Sequence, residues 1–175
     1  MGEIPFETIV ATHHPEIHRY LRRIAPRVTD ADDLSQETFL RAYRAYRTLS
    51  PDANVRAWLF AIATNLCRNH HRAARRWSRA QAAVRVTART SDTDDPVEAT
   101  LFNEARARVE HALARLPLKQ RFAFTLRKLH GLPYPAIAES LHCSPDAARA
   151  NVFQALRKIR LALDGTDLGV PEESR

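Results

Sequence analysis

The sequence predicts an all-α protein built from two small helical domains joined by a flexible linker. Only four glycines occur in 175 residues, and long stretches are rich in Ala, Leu, Arg and Glu. Scarce glycine and abundant strong helix formers favour helices over a sandwich or barrel. Apolar residues recur at helical steps in several separate stretches. Between them, Ser91-Asp92-Thr93-Asp94-Asp95-Pro96 is polar and poor in large apolar groups, as a linker is. The expected organisation is a first domain over 1–76, a linker over 77–97, a second domain over 98–163 and a tail over 164–175.

Three helices are legible in the first half. The first runs from Pro5 to about Ala25, with Ile9, Ile17, Leu21 and Ile24 roughly on one side. The second starts at Asp30-Ala31-Asp32-Asp33, where Asp30 suits an N-cap and the acids suit the helix dipole, and it ends near Arg47. Glu37 precedes Arg41 in the favourable pairing orientation. Leu34, Phe39, Leu40, Tyr43 and Tyr46 spread around more of this helix than one buried stripe needs, which implies that it is sandwiched or docked on a partner. The third helix restarts after Pro51-Asp52-Ala53-Asn54 and continues to about Arg76, with Val55, Trp58, Leu59, Ile62 and Leu66 as its stripe. From Trp77 the pattern fails, and Val84-Arg85-Val86-Thr87 alternates like a lone strand.

The second half carries four more helices. Val97–Leu116 ends at Pro117, and Leu118–Leu129 ends at His130-Gly131. A short helix over about Pro135–Leu141 is followed by Leu141-His142-Cys143-Ser144 and a last helix capped by Ser144 with Pro145 in its first turn. Ala148, Val152, Ala155, Ile159 and Leu163 form its buried stripe. Two short helices with this connection fit a helix-turn-helix. Asp146, Ala150, Phe153, Gln154 and Arg157 project away from the stripe, with Arg149 and Arg160 at the flank. Gln154 can pair with an adenine edge, Phe153 can meet a thymine methyl and the arginines can take phosphates or guanine. An ordinary helical hairpin with a wet outer face would present the same pattern.

Charge is segregated along the chain. The net charge is +7, nearly all of it from arginine, whose planar fork suits phosphate and base edges. Ala53–Thr90 holds eight arginines and no acid, whereas Ser91–Glu104 holds five acids and no base. On the third helix, Phe60, Thr64, Arg68, Arg72 and Arg75 lie away from the Trp58–Leu66 stripe. An exposed ring beside a ladder of arginines can hold single-stranded DNA, and Asn65 on the flank can hydrogen-bond an extruded base. The competing reading places Phe60 in a core contact with the first helix.

No apolar run is long enough to span a bilayer, and Met1–Val10 lacks the pattern of a signal peptide, so a cytoplasmic protein without membrane insertion is expected. Cys67 and Cys143 match neither a disulfide nor a zinc framework and read as small packing residues. Neither a cofactor nor a metal is expected.

Asp30-Ala-Asp-Asp-Leu-Ser-Gln-Glu-Thr-Phe-Leu-Arg-Ala-Tyr, followed by Val55-Arg-Ala-Trp-Leu-Phe-Ala-Ile-Ala-Thr-Asn-Leu, resembles region 2 of the extracytoplasmic-function sigma factors of bacterial RNA polymerase. Leu116-Pro-Leu-Lys-Gln-Arg and Tyr134-Pro-Ala-Ile-Ala-Glu-Ser-Leu, with Ser144 through Arg160, resembles their region 4. The resemblance implies a transcription initiation factor that is not an enzyme and whose partners are core RNA polymerase, promoter DNA and an anti-sigma factor. It implies polymerase contact at Asp33, Gln36 and Glu37. It places Phe60 and Asn65 at the pocket for a flipped base of the −10 element, with Arg68 and Arg72 nearby. Arg149, Ala150, Phe153 and Gln154 fall where the family reads the −35 duplex, and the linker would thread the polymerase toward its RNA exit channel.

Departures from the family pattern matter as well. Pro135 stands where Glu is usual, and His142 stands where the turn usually has Gly, although His142 can still adopt a left-handed backbone at some cost. Ala150, Asn151 and Gln154 replace residues that are often Ser, Arg and Arg, which thins the groove contact and bars copying the family's upstream sequence preference.

Two other functions fit parts of the chain. A free-standing helix-turn-helix regulator explains the second half but leaves the Phe60–Arg75 face idle. A metal-dependent enzyme is suggested by Cys67, His70, His71 and the His13-His14 pair, but no complete four-ligand spacing supports it.

Overall fold

The computed structural model describes residues 5–82 and 101–164, with side chains over 5–79 and 107–164. The alternation at 84–87, the acidic stretch up to Thr100 and the tail after Asp164 lie outside the described residues. Seven α-helices follow in order among the described residues: α1 (Phe6–Ile24), α2 (Asp30–Ala45), α3 (Val55–Ala82), α4 (Leu101–Ala114), α5 (Leu118–Phe124), α6 (Tyr134–Leu141) and α7 (Pro145–Leu163). A 3-10 turn over Tyr46–Thr48 follows α2, and a π-helical turn over Thr125–Leu129 follows α5. Among the described residues there is no strand.

Local chemistry sets the ends of these helices. Ser144 Oγ accepts a hydrogen bond from the Ala147 amide at 3.1 Å, and Pro145 opens α7 where its missing N–H costs nothing. Asn54 Oδ1 accepts from the Ala57 amide at 2.9 Å and starts α3 in the same manner. Asp30 does not cap α2: Thr29 precedes the helix without a side-chain cap, and Asp30 is its first residue, turned toward His70 at 3.9 Å. At the end of α6, His142 adopts φ 50° and ψ 56°, the left-handed conformation its position demands. Its amide bonds to Glu139 and that of Cys143 to Ala138, which satisfies carbonyls that the helix end would otherwise orphan.

Helix α3 departs from the sequence expectation in two ways. It runs on to Ala82, beyond Arg76, and its buried side is rotated. Leu59 and Leu66 are buried as expected, but Val55, Trp58 and Ile62 are only half-buried, whereas Phe60, Ala63, Thr64 and Cys67 are sealed completely. The stripes of α1 and α7 are buried where the periodicity puts them, except that Leu163 is half-buried.

The first half packs α1, α2 and α3 together, and the second packs α4, α5 and α6 around α7. One apolar core runs through both halves. Tyr20, Phe60 and Cys67 from the first half belong to the same buried cluster as Phe122, Leu126, Leu132, Ile137 and Val152 from the second. A smaller cluster of Leu113, Leu116, Phe124, Ala155 and Ile159 lies within the second half alone. The two helical domains are therefore pressed against each other, with α6 lying along α3.

Candidate nucleic-acid interface

The packing of the halves decides what α3 can offer. Phe60 is 0% exposed. Its ring meets Tyr20 of α1 edge-on at 5.2 Å and His130 of the second half at 4.9 Å. The expectation of an exposed ring is thus overturned, since the second half covers the side that α1 leaves free. Thr64, one turn on, is also sealed, and its hydroxyl is 2.7 Å from the Tyr20 hydroxyl. Burial pushes the Tyr20 phenol well above its ordinary pKa.

His130 reaches this position because of the π turn. The His130 amide bonds to the Thr125 carbonyl, five residues back, so an extra residue bulges from the end of α5 toward the first half. Around the ring a polar clasp closes. Arg56 donates through two nitrogens to the Glu16 carboxylate and through one of them also to the His130 carbonyl. His130 Nδ1 is 3.1 Å from Glu16 Oε1. The Arg56 bond, more than that of His130, holds the Glu16 carboxyl below its ordinary range. Burial pulls the His130 imidazole down against the opposing pull of Glu16.

Asn65 and Arg68 sit at the margin of the covered zone. Arg68 donates to Asn65 Oδ1 at 2.6 Å, and His142 Nε2 from the helix-turn-helix lies 3.0 Å from the same oxygen. The Asn65 carbonyl is therefore occupied. Arg68 is half-buried, and burial foremost, then Arg72, lowers its pKa. Arg72 and Arg75 stand exposed. Of the five residues expected to hold unpaired strand, the structure leaves these two accessible and covers or engages Phe60, Asn65 and Arg68.

Helix α7 is different. Phe153 is 67% exposed, and Arg149, Ala150, Gln154 and Arg157 are exposed along the same helix. Arg149 pairs with Asp146 at 2.9 Å and lies over the Tyr134 ring, 5.1 Å from its centroid, which holds the guanidinium at the mouth of the turn. Gln154 accepts from Gln120 Nε2 at 2.7 Å, so one of its polar atoms is tied to α5. An exposed face with a bare ring, an amide and the Arg149 guanidinium held by Asp146 and Tyr134 carries the kinds of group that can contact base edges and phosphates.

On α2, Asp33 and Gln36 are exposed, while Glu37 is half-buried and paired with Arg41 at 2.7 Å. Beside them, α1 and α2 form an apolar groove of about 460 Å³ lined by Phe6, Val10, Phe39, Leu40 and Tyr43, with Gln36 and Asp32 on its rim. Leu40 and Tyr43 are largely exposed, which is why this helix looked too apolar for one stripe.

Sequence reasoning missed Tyr20, Glu16, Arg56 and His130. Glu16 is the only acid between Thr8 and Thr29, and that isolation was the one available signal. Both cysteines are unpaired, and burial pushes the Cys67 thiol up to about 12. Among the described residues no cluster of His, Cys, Asp and Glu could hold a metal ion, and no helix is long and apolar enough to cross a membrane.

Comparison with known proteins bears on the same regions. The family model for sigma-70 region 2 matches residues 9–77, and that for sigma-70 region 4 matches residues 106–159. The RNA polymerase sigma-H factor of Pseudomonas aeruginosa is 31% identical over 168 residues, covering 90% of this chain and 86% of that protein. Among solved structures, CnrH in complex with the cytosolic domain of CnrY is 26% identical, with a TM-score of 0.66, and covers 91% of this chain and 88% of its own. The sigma factor RpoE in complex with the anti-sigma factor NepR, from Bartonella quintana, shares the fold at 21% identity and a TM-score of 0.72, over 93% of this chain and 98% of that one.

Proposed function

We propose a division of labour for a chain that belongs to the extracytoplasmic-function sigma factors, which carry sigma-70 regions 2 and 4 and direct promoter-specific initiation by RNA polymerase. Helix α7 reads the −35 duplex through Arg149, Ala150, Phe153, Gln154 and Arg157. Helix α3 captures the −10 strand through Phe60, Asn65, Arg68, Arg72 and Arg75. Polymerase docks on α2 at Asp33, Gln36 and Glu37, with the adjoining apolar groove taking a partner side chain. The chemistry belongs to the polymerase, and the cytoplasm is where the two meet.

The single observation that carries the reading is the contrast between the two faces: Phe153 is bare while Phe60 is sealed by the other half. Upstream duplex can therefore meet α7 directly, whereas a flipped base can reach Phe60 only after the halves part. Parting withdraws His130 and leaves Tyr20 behind the ring, which then presents one side for stacking, worth about 1–3 kcal/mol per base. The closed form is silent, and polymerase binding opens it. An anti-sigma factor, the class of partner in the RpoE–NepR structure, would act on this chain by holding the halves together.

Run-off transcription with core polymerase on a random promoter library tests this reading. Promoter-specific transcripts that share an upstream and a −10 element are expected. A footprint by the chain alone, with no dependence on polymerase, would favour a free-standing duplex-binding regulator instead.

A further inference from the structure

A second feature joins the halves away from the Phe60 face. The end of α1 and the α4–α5 pair enclose a cleft of about 470 Å³ lined by Arg19, Arg22, Arg23, Arg121, Thr125 and one acid, Glu110, with Val28, Leu113 and Ala114 as an aliphatic wall. Like charges gathered this closely destabilise a protein unless a counter-charge offsets them. Among the described residues, none of the four arginines makes an ion pair with a carboxylate.

Arg121 is the most telling. It is half-buried, it donates to the Ile24 carbonyl at a long 3.3 Å, His71 Nε2 at 3.3 Å is itself a donor to that carbonyl, and among the described residues its buried Nε has no partner. Burial without a counter-ion lowers its pKa, as expected for a desolvated cation. The Thr125 hydroxyl on the same cleft is 1% exposed and also lacks a partner. A desolvated guanidinium and an orphaned hydroxyl each cost stability that a bound acceptor would return.

The geometry points to an anion site for a linear di- or triphosphate group, gripped by Arg19, Arg22 and Arg23 from the first half and Arg121 from the second. Several arginines around one open cleft match the spread charge and many acceptor oxygens of a phosphate chain better than a single carboxylate. A ligand that touches both halves binds only the closed form, so by linkage it favours closure. The regulatory consequence rests on the closed form being silent; the site itself does not.

The test uses the full chain at physiological salt, titrated calorimetrically with inorganic tripolyphosphate, with GTP and with a short aspartate peptide. Energy transfer between labels on α2 and α7 reports closure. Tripolyphosphate is expected to bind and raise transfer, and Arg22→Ala with Arg23→Ala, both exposed positions, should weaken binding at least tenfold. Tighter binding of GTP would assign the phosphate chain to a nucleotide, and equal binding would assign it to polyphosphate itself. The proposal is overturned if the double variant binds unchanged or if the aspartate peptide binds better than either phosphate. It is also overturned if tripolyphosphate binds only after Asp92, Asp94 and Asp95 are changed to Asn, because the chain's own acidic stretch is then the occupant. Transcripts measured without added phosphate keep a failure of the sigma-factor reading separate from a failure of this one.

Discussion

Arg72 and Phe60, expected from the sequence on one side of α3, are exposed and sealed respectively and call for different experiments. Arg72 is exposed, so Arg72→Ala should leave folding within about 0.5 kcal/mol of the parent. It should slow open-complex formation several-fold, read by permanganate footprinting. Phe60→Ala removes a sealed ring and should cost about 3–5 kcal/mol of stability. Its transcription defect therefore cannot be read as lost stacking unless folding is measured beside it. His142 gives a cleaner contrast. Its left-handed backbone costs about 1–2 kcal/mol in a residue with a side chain. His142→Gly should relieve that strain in the helix-turn-helix, while losing the bond to Asn65 across the interface. Denaturation of the full chain should show a firmer second half, and energy transfer between the halves should fall.

At the scale of the element, α7 and the π turn mark the limits of what the sequence discloses. The cap at Ser144, the stripe from Ala148 to Ile159 and the outward Phe153 were all legible, because each depends on neighbours within one or two turns. Helix α3 was read too short at Arg76, because apolar periodicity reports packing rather than helicity. Beyond Arg76 it continues in helix formers such as Arg79, and its one large apolar side chain among the described residues, Trp77, stands exposed. The burial of Phe60 was not legible, since the Arg56–His130 contact joins residues 74 apart and depends on a turn with no local signature. For α7 as an element, Phe153→Ala should reduce use of the upstream element about tenfold, an exposed-site change of about 1.4 kcal/mol, with melting temperature unchanged. A lowered melting temperature would place that ring in the fold rather than in the groove.

Across the whole molecule, the proposed parting of the halves would be governed by acid and salt-bridge chemistry. His130 and His71 are both pulled below the ordinary histidine range, chiefly by burial, although Glu16 and the Ile24 carbonyl pull the other way and Arg19, Arg56, Arg75 and Arg121 add repulsion. The packed arrangement favours their neutral forms, so they do not oppose it above about pH 6.5, the free histidine value. It weakens as pH falls from there through their depressed values, because only the open form takes up protons readily. Glu16, also depressed, withdraws its own contribution only at pH below the ordinary carboxylate range. Energy transfer between the halves should therefore drop from pH 7.5 to 5.5, and less so in His130→Gln. Arg56→Ala should raise the open fraction by up to about fivefold, since a half-exposed pair is worth at most about 1 kcal/mol.

The intrusion of His130 beside Phe60 has a consequence for how such proteins can be recombined. Swapping the whole second half for that of a relative would exchange α7 and, unavoidably, the His130 ring that covers Phe60. On the proposed division of labour, hybrids that keep α3 and α7 letter-perfect should still misfire, constitutively active or inert, according to what the donor places at that one bulged position.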